Sequence, residues 1–283
     1  MLECVANVAE GRDSGLLETL AAACGPALLD LHTDPDHHRS VFTLAGPGDR
    51  DAAVAVAGLA AAVAAHVDLR AHRGVHPRLG ALDVVPFVAL DEPGPVAADA
   101  ARTFGTWLAE SLQVPVFFYG DADPEHRSLP ELRRGAFTGR APDVGPPAAH
   151  PRLGATAVGA RAPLVAVNCW LDRDDAALAR SIAAEVRGRD GGLGGVRALG
   201  FSLPSAARAQ VSMNVTDLAA TGVEAACSAV RERAETAGGA VERVEWVGLL
   251  PASEVARCSA AFRAWSGLDP SRTIEDRLAA ARG

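Results

Sequence analysis

The chain contains no lysine, and all 27 of its basic residues are arginine. Schiff-base chemistry through a lysine amine is therefore excluded. The arginine bias fits either a use for bidentate carboxylate binding or a composition rich in alanine, glycine and proline, and the sequence leaves both open. Cysteine is sparse: Cys4, Cys24, Cys169, Cys227 and Cys258 lie far apart with no CxxC spacing. That excludes a disulfide framework or a cysteine-based zinc site, and predicts buried free thiols in a reducing compartment. There is no basic stripe, and the net charge of −8 argues against a nucleic-acid partner. The most membrane-like run, residues 52–67, is too short, too rich in alanine, and interrupted by Gly58 and His66. The N-terminus carries neither a basic region nor an apolar signal core. These absences lead to the expectation of a cytoplasmic protein with neither membrane nor nucleic-acid partners.

What is present suffices for a large core: 283 residues with 49% apolar content, enough for two modest domains. Apolar periodicity and turn residues predict strands near 2–8, 27–32, 39–45 and 81–89, with helices near 14–24 and 50–68. Asp34 and Pro35 form the turn of the hairpin, and Asp49 is a candidate cap for the second helix. The order β-α-β-β-α-β is the ferredoxin-like split motif. A helix near 95–112 and a strand near 114–120 enlarge this first unit. The second half repeats the order, with strands near 164–170, 196–203, 208–215 and 240–249, helices near 173–187 and 220–236, and a last helix near 252–263. The fold class is therefore α+β: two ferredoxin-like βαββαβ subdomains, each with helices on one face of a mostly antiparallel sheet. The expected subdomains are residues 1–162 and 163–283. Pro142, Pro146, Pro147 and Pro151 predict an extended connector between them.

The densest concentration of chemistry is His72, Arg73, Gly74, Val75, His76, Pro77, Arg78, Leu79 and Gly80, followed at once by an apolar run. Gly74 and Pro77 oppose a helix, so the segment reads as an irregular loop feeding a buried strand. Composition alone leaves a solvated loop and a reactive loop equally open. The segment resembles the signature loop of the formiminotransferase family, folate enzymes that take the formimino group from formiminoglutamate. The resemblance continues in order: Glu3, Asn7, Glu10 and Gly11 near the N-terminus, the hairpin around Asp34 to Arg39, the strand at 114–120, the segment 154–161, and Gln210 to Asn214.

The resemblance implies two subdomains with the active site in a groove between them, a homodimer, and transfer of a formimino group from N-formimino-L-glutamate to tetrahydrofolate as co-substrate, without a metal. It places the reaction in histidine degradation and one-carbon metabolism. Folate N5 must lose a proton as it attacks the amidine carbon, and the departing glutamate nitrogen must gain one. A histidine titrating near neutrality serves both steps. His76 coincides with the family's catalytic histidine. Gly154, Ala155, Thr156, Ala157, Val158, Gly159, Ala160, Arg161, Ala162 and Pro163 match its folate-contacting segment, where glycine permits close approach of a flat ring. Arg39, Arg73, Arg78 and Arg161 lie in matched segments as candidate carboxylate clamps or as structural ion-pair partners.

Gly191 to Gly195 lacks the lysine of a phosphate loop. His32, His37 and His38 beside Asp34 and Asp36 fit no zinc spacing and read as hairpin-turn polarity. Departures from the family pattern are Ala6, Val8 and Ala9, where Pro, Phe and Ser are typical, His38, where Asn is common, and His32, where some relatives have Asp. Alternative functions are a formyl-transferring or formiminoglutamate-hydrolysing enzyme on the same scaffold, and a non-catalytic folate-binding paralogue. The resemblance covers the transferase part alone, so a separate cyclodeaminase partner is expected.

Overall fold

Along β1 (Leu2–Val8), Leu2, Cys4, Ala6 and Val8 are all buried. This is the period of two by which a strand turns one face to a core. Residues 1–46, 48, 50–91 and 95–281 are described, in a computed structural model. They form two units, Met1–Ala162 and Pro163–Gly283.

In the first unit β1 is followed by α1 (Ser14–Cys24), β2 (Leu28–Asp34), β3 (Arg39–Ala45), α2 (Asp51–His66) and β4 (Leu82–Ala89). The helix α3 (Val96–Leu112), the strand β5 (Val116–Gly120), the helix α4 (Leu129–Gly135) and the strand β6 (Thr156–Ala160) complete it. The sheet order is β2-β3-β1-β4-β6-β5. Its first four strands are antiparallel in the ferredoxin-like arrangement, while β6 pairs parallel to both β4 and β5. Helices α1, α2 and α3 pack on one face through Leu17, Leu20, Val56, Leu59, Phe104 and Leu108. The α4 residue Leu132 packs instead with Val84, Phe117 and Tyr119 in a separate cluster. Two helix starts in this unit follow local chemistry. Asp13 accepts the Leu16 N–H at the start of α1, and Ser128 with Glu131 forms a capping box on α4. At α2 the cap position is Arg50, with the Asp51 carboxylate accepting the Gly48 N–H; Asp49 lies outside the described residues.

The second unit runs β7 (Val165–Leu171), α5 (Ala176–Val186), β8 (Val196–Leu203), β9 (Arg208–Val215), α6 (Val223–Thr236) and β10 (Val241–Val247), in the sheet order β10-β7-β9-β8. The strands of this sheet pair antiparallel throughout. Its core gathers Val167, Cys169, Ile182, Val211, Cys227 and Val230 between the sheet and α5 and α6.

Two expectations fail. The proline tract is not a connector between the units. Asp143 N donates to Val116 O at 2.9 Å, Val116 N donates to Val144 O at 3.0 Å, and His150 exchanges backbone hydrogen bonds with Gly154, so the tract is bound into the first unit. Proline lacks a donor, but the residues between the prolines keep theirs. The final helix is also broken, into α7 (Ala252–Arg257) and α8 (Ala260–Ser266), with a further helix α9 (Ile274–Ala281). Cys258 is extended and Ser259 caps α8, while Glu224 accepts from both the Ser259 N–H and hydroxyl at 2.7 Å. No helix among the described residues is long and apolar enough to cross a membrane.

Candidate active site

Four segments meet at one end of the first sheet: the turn leaving β1, the β2–β3 hairpin, the irregular loop preceding β4, and α4. Their meeting point is Asp83, an aspartate inside an otherwise apolar strand and fully buried. It sits where the register between β1 and β4 shifts. One carboxylate oxygen accepts from the Leu79 N–H at 2.6 Å. The other receives Arg39 at 2.5 Å and Arg133 at 2.6 Å. Burial works against its charge, yet the two guanidiniums hold its pKa at about 2. Arg39 also donates to Asn7 Oδ1 at 3.1 Å, and Arg133 to the Pro77 carbonyl at 2.9 Å. The pair of arginines thereby ties β3 and α4 to the loop that carries His76.

The loop is held by its own guanidinium. Arg78 donates to the carbonyls of Gly74 at 3.1 Å and His76 at 2.6 Å, and contacts His72. A Cβ on Gly74 would lie 2.3 Å from the His37 carbonyl, so glycine is required where the loop passes the hairpin. On the hairpin side His38 has a positive φ of 48° and stacks on His72 with ring centroids 3.9 Å apart. Its Nδ1 accepts from Gly11 N at 3.2 Å. Glu10 Oε1 collects the N–H groups of Gly11, Arg12 and Asp13 within 3.0 Å. Burial, Arg78 and His38 hold His72 at about 4, and burial with the charges of Arg12 and Arg78 lowers His38 although Glu10 opposes.

His76 is half-buried beside His37, ring centroids 5.6 Å apart. Its Nδ1 lies 2.7 Å from the Pro77 carbonyl. A carbonyl only accepts, so Nδ1 carries the hydrogen and Nε2 the lone pair. Burial, followed by the Arg39 charge, pushes its pKa well below that of an ordinary histidine. A neutral imidazole with a basic Nε2 in a cationic surround can take a proton and surrender it readily.

The other sequence-predicted residues are placed differently. Arg39 and Arg78 are occupied by Asp83 and by loop carbonyls. Arg73 is exposed and donates to the His72 carbonyl at 2.8 Å. Arg161, half-buried, donates to the Ala162 carbonyl at 2.9 Å. Of the folate-type segment, Gly154 takes a φ of 70° beside Leu79 and Gly80. Ala155 is buried, and Thr156, Ala157, Val158, Gly159 and Ala160 form β6, buried between β4 and β5. Gly159 serves packing: an added Cβ would meet the Tyr119 ring at 2.5 Å. Arg161 and Pro163 are half-buried and Ala162 is exposed. Sequence reading missed the roles of Asp83 and Arg133. The available signal for Asp83 was a lone carboxylate inside an apolar strand; Arg133 offered none. Among the described residues no group of three or more His, Cys, Asp or Glu side chains could hold a metal ion.

Residues 1–161 match the family model of the formiminotransferase domain, N-terminal subdomain, and residues 166–266 match that of the formiminotransferase domain. The chain is 35% identical over 268 residues to the glutamate formimidoyltransferase of Streptococcus pyogenes serotype M1, covering 89% of each chain. It is 33% identical over 296 residues to the glutamate formimidoyltransferase of Thermoplasma acidophilum, covering 98% of this chain and 97% of the relative. Against the formimidoyltransferase-cyclodeaminase of Sus scrofa it is 36% identical over 278 residues, covering 89% of this chain and 50% of the relative.

Proposed function

The chain belongs to the formiminotransferase family of transferases, and from that premise we propose that it moves the formimino group of N-formimino-L-glutamate onto N5 of tetrahydrofolate, with His76 as the general acid–base. The observation that carries this reading is the 2.7 Å contact between His76 Nδ1 and the Pro77 carbonyl, from which the tautomer follows. The Nδ1 hydrogen is engaged by the Pro77 carbonyl, which leaves the Nε2 lone pair as the base. N5 attacks the amidine carbon, and Nε2 takes the proton that N5 must lose. The resulting imidazolium is disfavoured by burial and by the charges of Arg39 and Arg133, with Asp83 opposing. The proton therefore passes on to the departing glutamate nitrogen as the tetrahedral intermediate collapses. The same cationic surround favours the carboxylates of formiminoglutamate and of the folate tail. In residues 154–163 the buried strand side chains are spent on packing. Contact with folate falls to the backbone around Gly154 and to Arg161, Ala162 and Pro163. The product would feed one-carbon metabolism in histidine degradation.

The test is to mix the purified protein with formiminoglutamate and tetrahydrofolate and follow the absorbance of the formimino-folate product. Product formation is expected. Folded protein that forms none would overturn the proposal.

A further inference from the structure

The carbonyl that engages His76 Nδ1 is itself held from elsewhere in the first unit. Arg133 Nη1 donates to the Pro77 oxygen at 2.9 Å, and His76 Nδ1 meets the same oxygen at 2.7 Å. A carbonyl oxygen has two lone pairs and can accept from both. The other arm of the arginine, Nη2, donates to Asp83 at 2.6 Å. A guanidinium can span two acceptors in this way because its donors form a rigid fork.

The helix behind the fork is anchored at both levels. A capping box fixes the start of α4, and Arg133 lies in its last turn. Its neighbour Leu132 is buried against Val84, Phe117 and Tyr119. On the loop, the proline ring locks φ of Pro77, so the direction of its carbonyl depends on ψ. The backbone is gripped on either side of that torsion. Arg78 donates to the His76 carbonyl at 2.6 Å, and Asp83 accepts from the Leu79 N–H at 2.6 Å. Neither contact is made to the Pro77 carbonyl. Arg133 supplies that one, from 56 residues away in sequence.

The consequence falls on the ring. A neutral imidazole in water favours the Nε2–H form, and a well-placed acceptor at Nδ1 reverses the choice. We propose that Arg133 is a positioning residue: by holding the Pro77 carbonyl it keeps the His76 hydrogen on Nδ1 and the basic lone pair on Nε2. The use of that lone pair rests on His76 being the acid–base of the transfer; the hold on the ring does not.

An arginine that only neutralised Asp83 would leave the tautomer alone, and the test uses that difference. The full chain is labelled with nitrogen-15 in its histidine rings, and long-range proton–nitrogen spectra are recorded at neutral pH. His76→Gln assigns the signal by its absence. The parent should show His76 in the Nδ1–H form. Arg133→Met keeps the aliphatic stem and loses both donors, so the ring should shift toward Nε2–H. With formiminoglutamate and tetrahydrofolate, its kcat should fall about tenfold or more while KM stays within about threefold, because the wrong tautomer offers no base to the reacting nitrogen. Arg133→Lys keeps the charge beside Asp83 without the two-armed reach, and the same shift is expected of it. It decides the matter if Arg133→Met does not fold. A parent in the Nε2–H form overturns the proposal. So does a tautomer unmoved in a folded variant, or a shifted tautomer with unchanged kcat. The spectra need no turnover, so the two readings fail separately. An unmoved tautomer in an active enzyme defeats this inference alone, whereas a parent that forms no product defeats the transfer reading.

Discussion

At the scale of single residues, the site turns on how a buried carboxylate and its arginines set the state of one imidazole. His76→Ala removes the group that moves both protons, so kcat should fall by roughly 10²–10⁴-fold. The half-buried ring contributes little packing, and the melting temperature should stay within a few degrees (~1 kcal/mol). Saturating-substrate kinetics beside a thermal melt checks both, and a near-normal rate would remove His76 from the mechanism. The pH dependence has a definite sign. Burial and Arg39 lower the His76 pKa below the ordinary 6.5, so its basic form persists into mild acid. The acid limb of kcat/KM should therefore lie below 6.5, and a half-maximal point at or above 6.5 would contradict a base poised in this way. Asp83→Asn leaves Arg39 and Arg133 facing each other without their counter-charge. Breaking a buried pair of this kind costs about 3–5 kcal/mol. Urea unfolding is the measurement, and a loss below ~1 kcal/mol would show that the arginines find another partner.

At the scale of elements, the two hairpins are built alike, and one of them carries a burden that the other does not. Each turn places a non-glycine residue in the left-handed region just before the next strand: His38 at φ 48° before β3 and Ala207 at φ 50° before β9. In the first hairpin the strained residue stacks on His72 and helps seat the His76 loop. In the second, Ala207 is exposed, and nothing in the structure gives its side chain a task. Replacing it by glycine removes a left-handed penalty of about 1–2 kcal/mol against an unfolded-state cost of about 0.5–1 kcal/mol. Ala207→Gly should therefore stabilise the protein by roughly 0.5–1 kcal/mol, read as a higher urea midpoint at unchanged slope. His38→Gly should not share that gain, because it also removes the ring stacked on His72.

At the scale of the whole molecule, each unit carries its own core, so where the chain is cut decides what survives. A break between 162 and 163 leaves both sheets entire, and the two fragments should each melt cooperatively by circular dichroism. A break within 142–151 separates β6 from the β4 and β5 strands between which it lies. The N-terminal fragment from that cut should lose its cooperative transition. Equal behaviour from the two cuts would mean that β6 is dispensable to the first core.

The sequence by itself determined the two βαββαβ units, because apolar periodicity and turn residues are local signals that each strand and helix carries whole. It also marked out the His76 loop, since glycine, proline, histidine and arginine lie within a few residues of one another. The helix expected over 252–263 breaks at Ser259, which caps α8 while Glu224, 35 residues away, accepts from its N–H and hydroxyl, and this outweighs local helical periodicity. Residues 154–163 looked like a ligand segment throughout, yet pairing with β4 and β5 turned half of them into core. Along the chain Asp83 stands alone in an apolar run, because its arginines lie 44 and 50 positions off. Only the tertiary structure could bring them together, and with them the burial and the arginine charges that keep His76 neutral, because charge acts through space at a few ångströms whatever the separation in sequence.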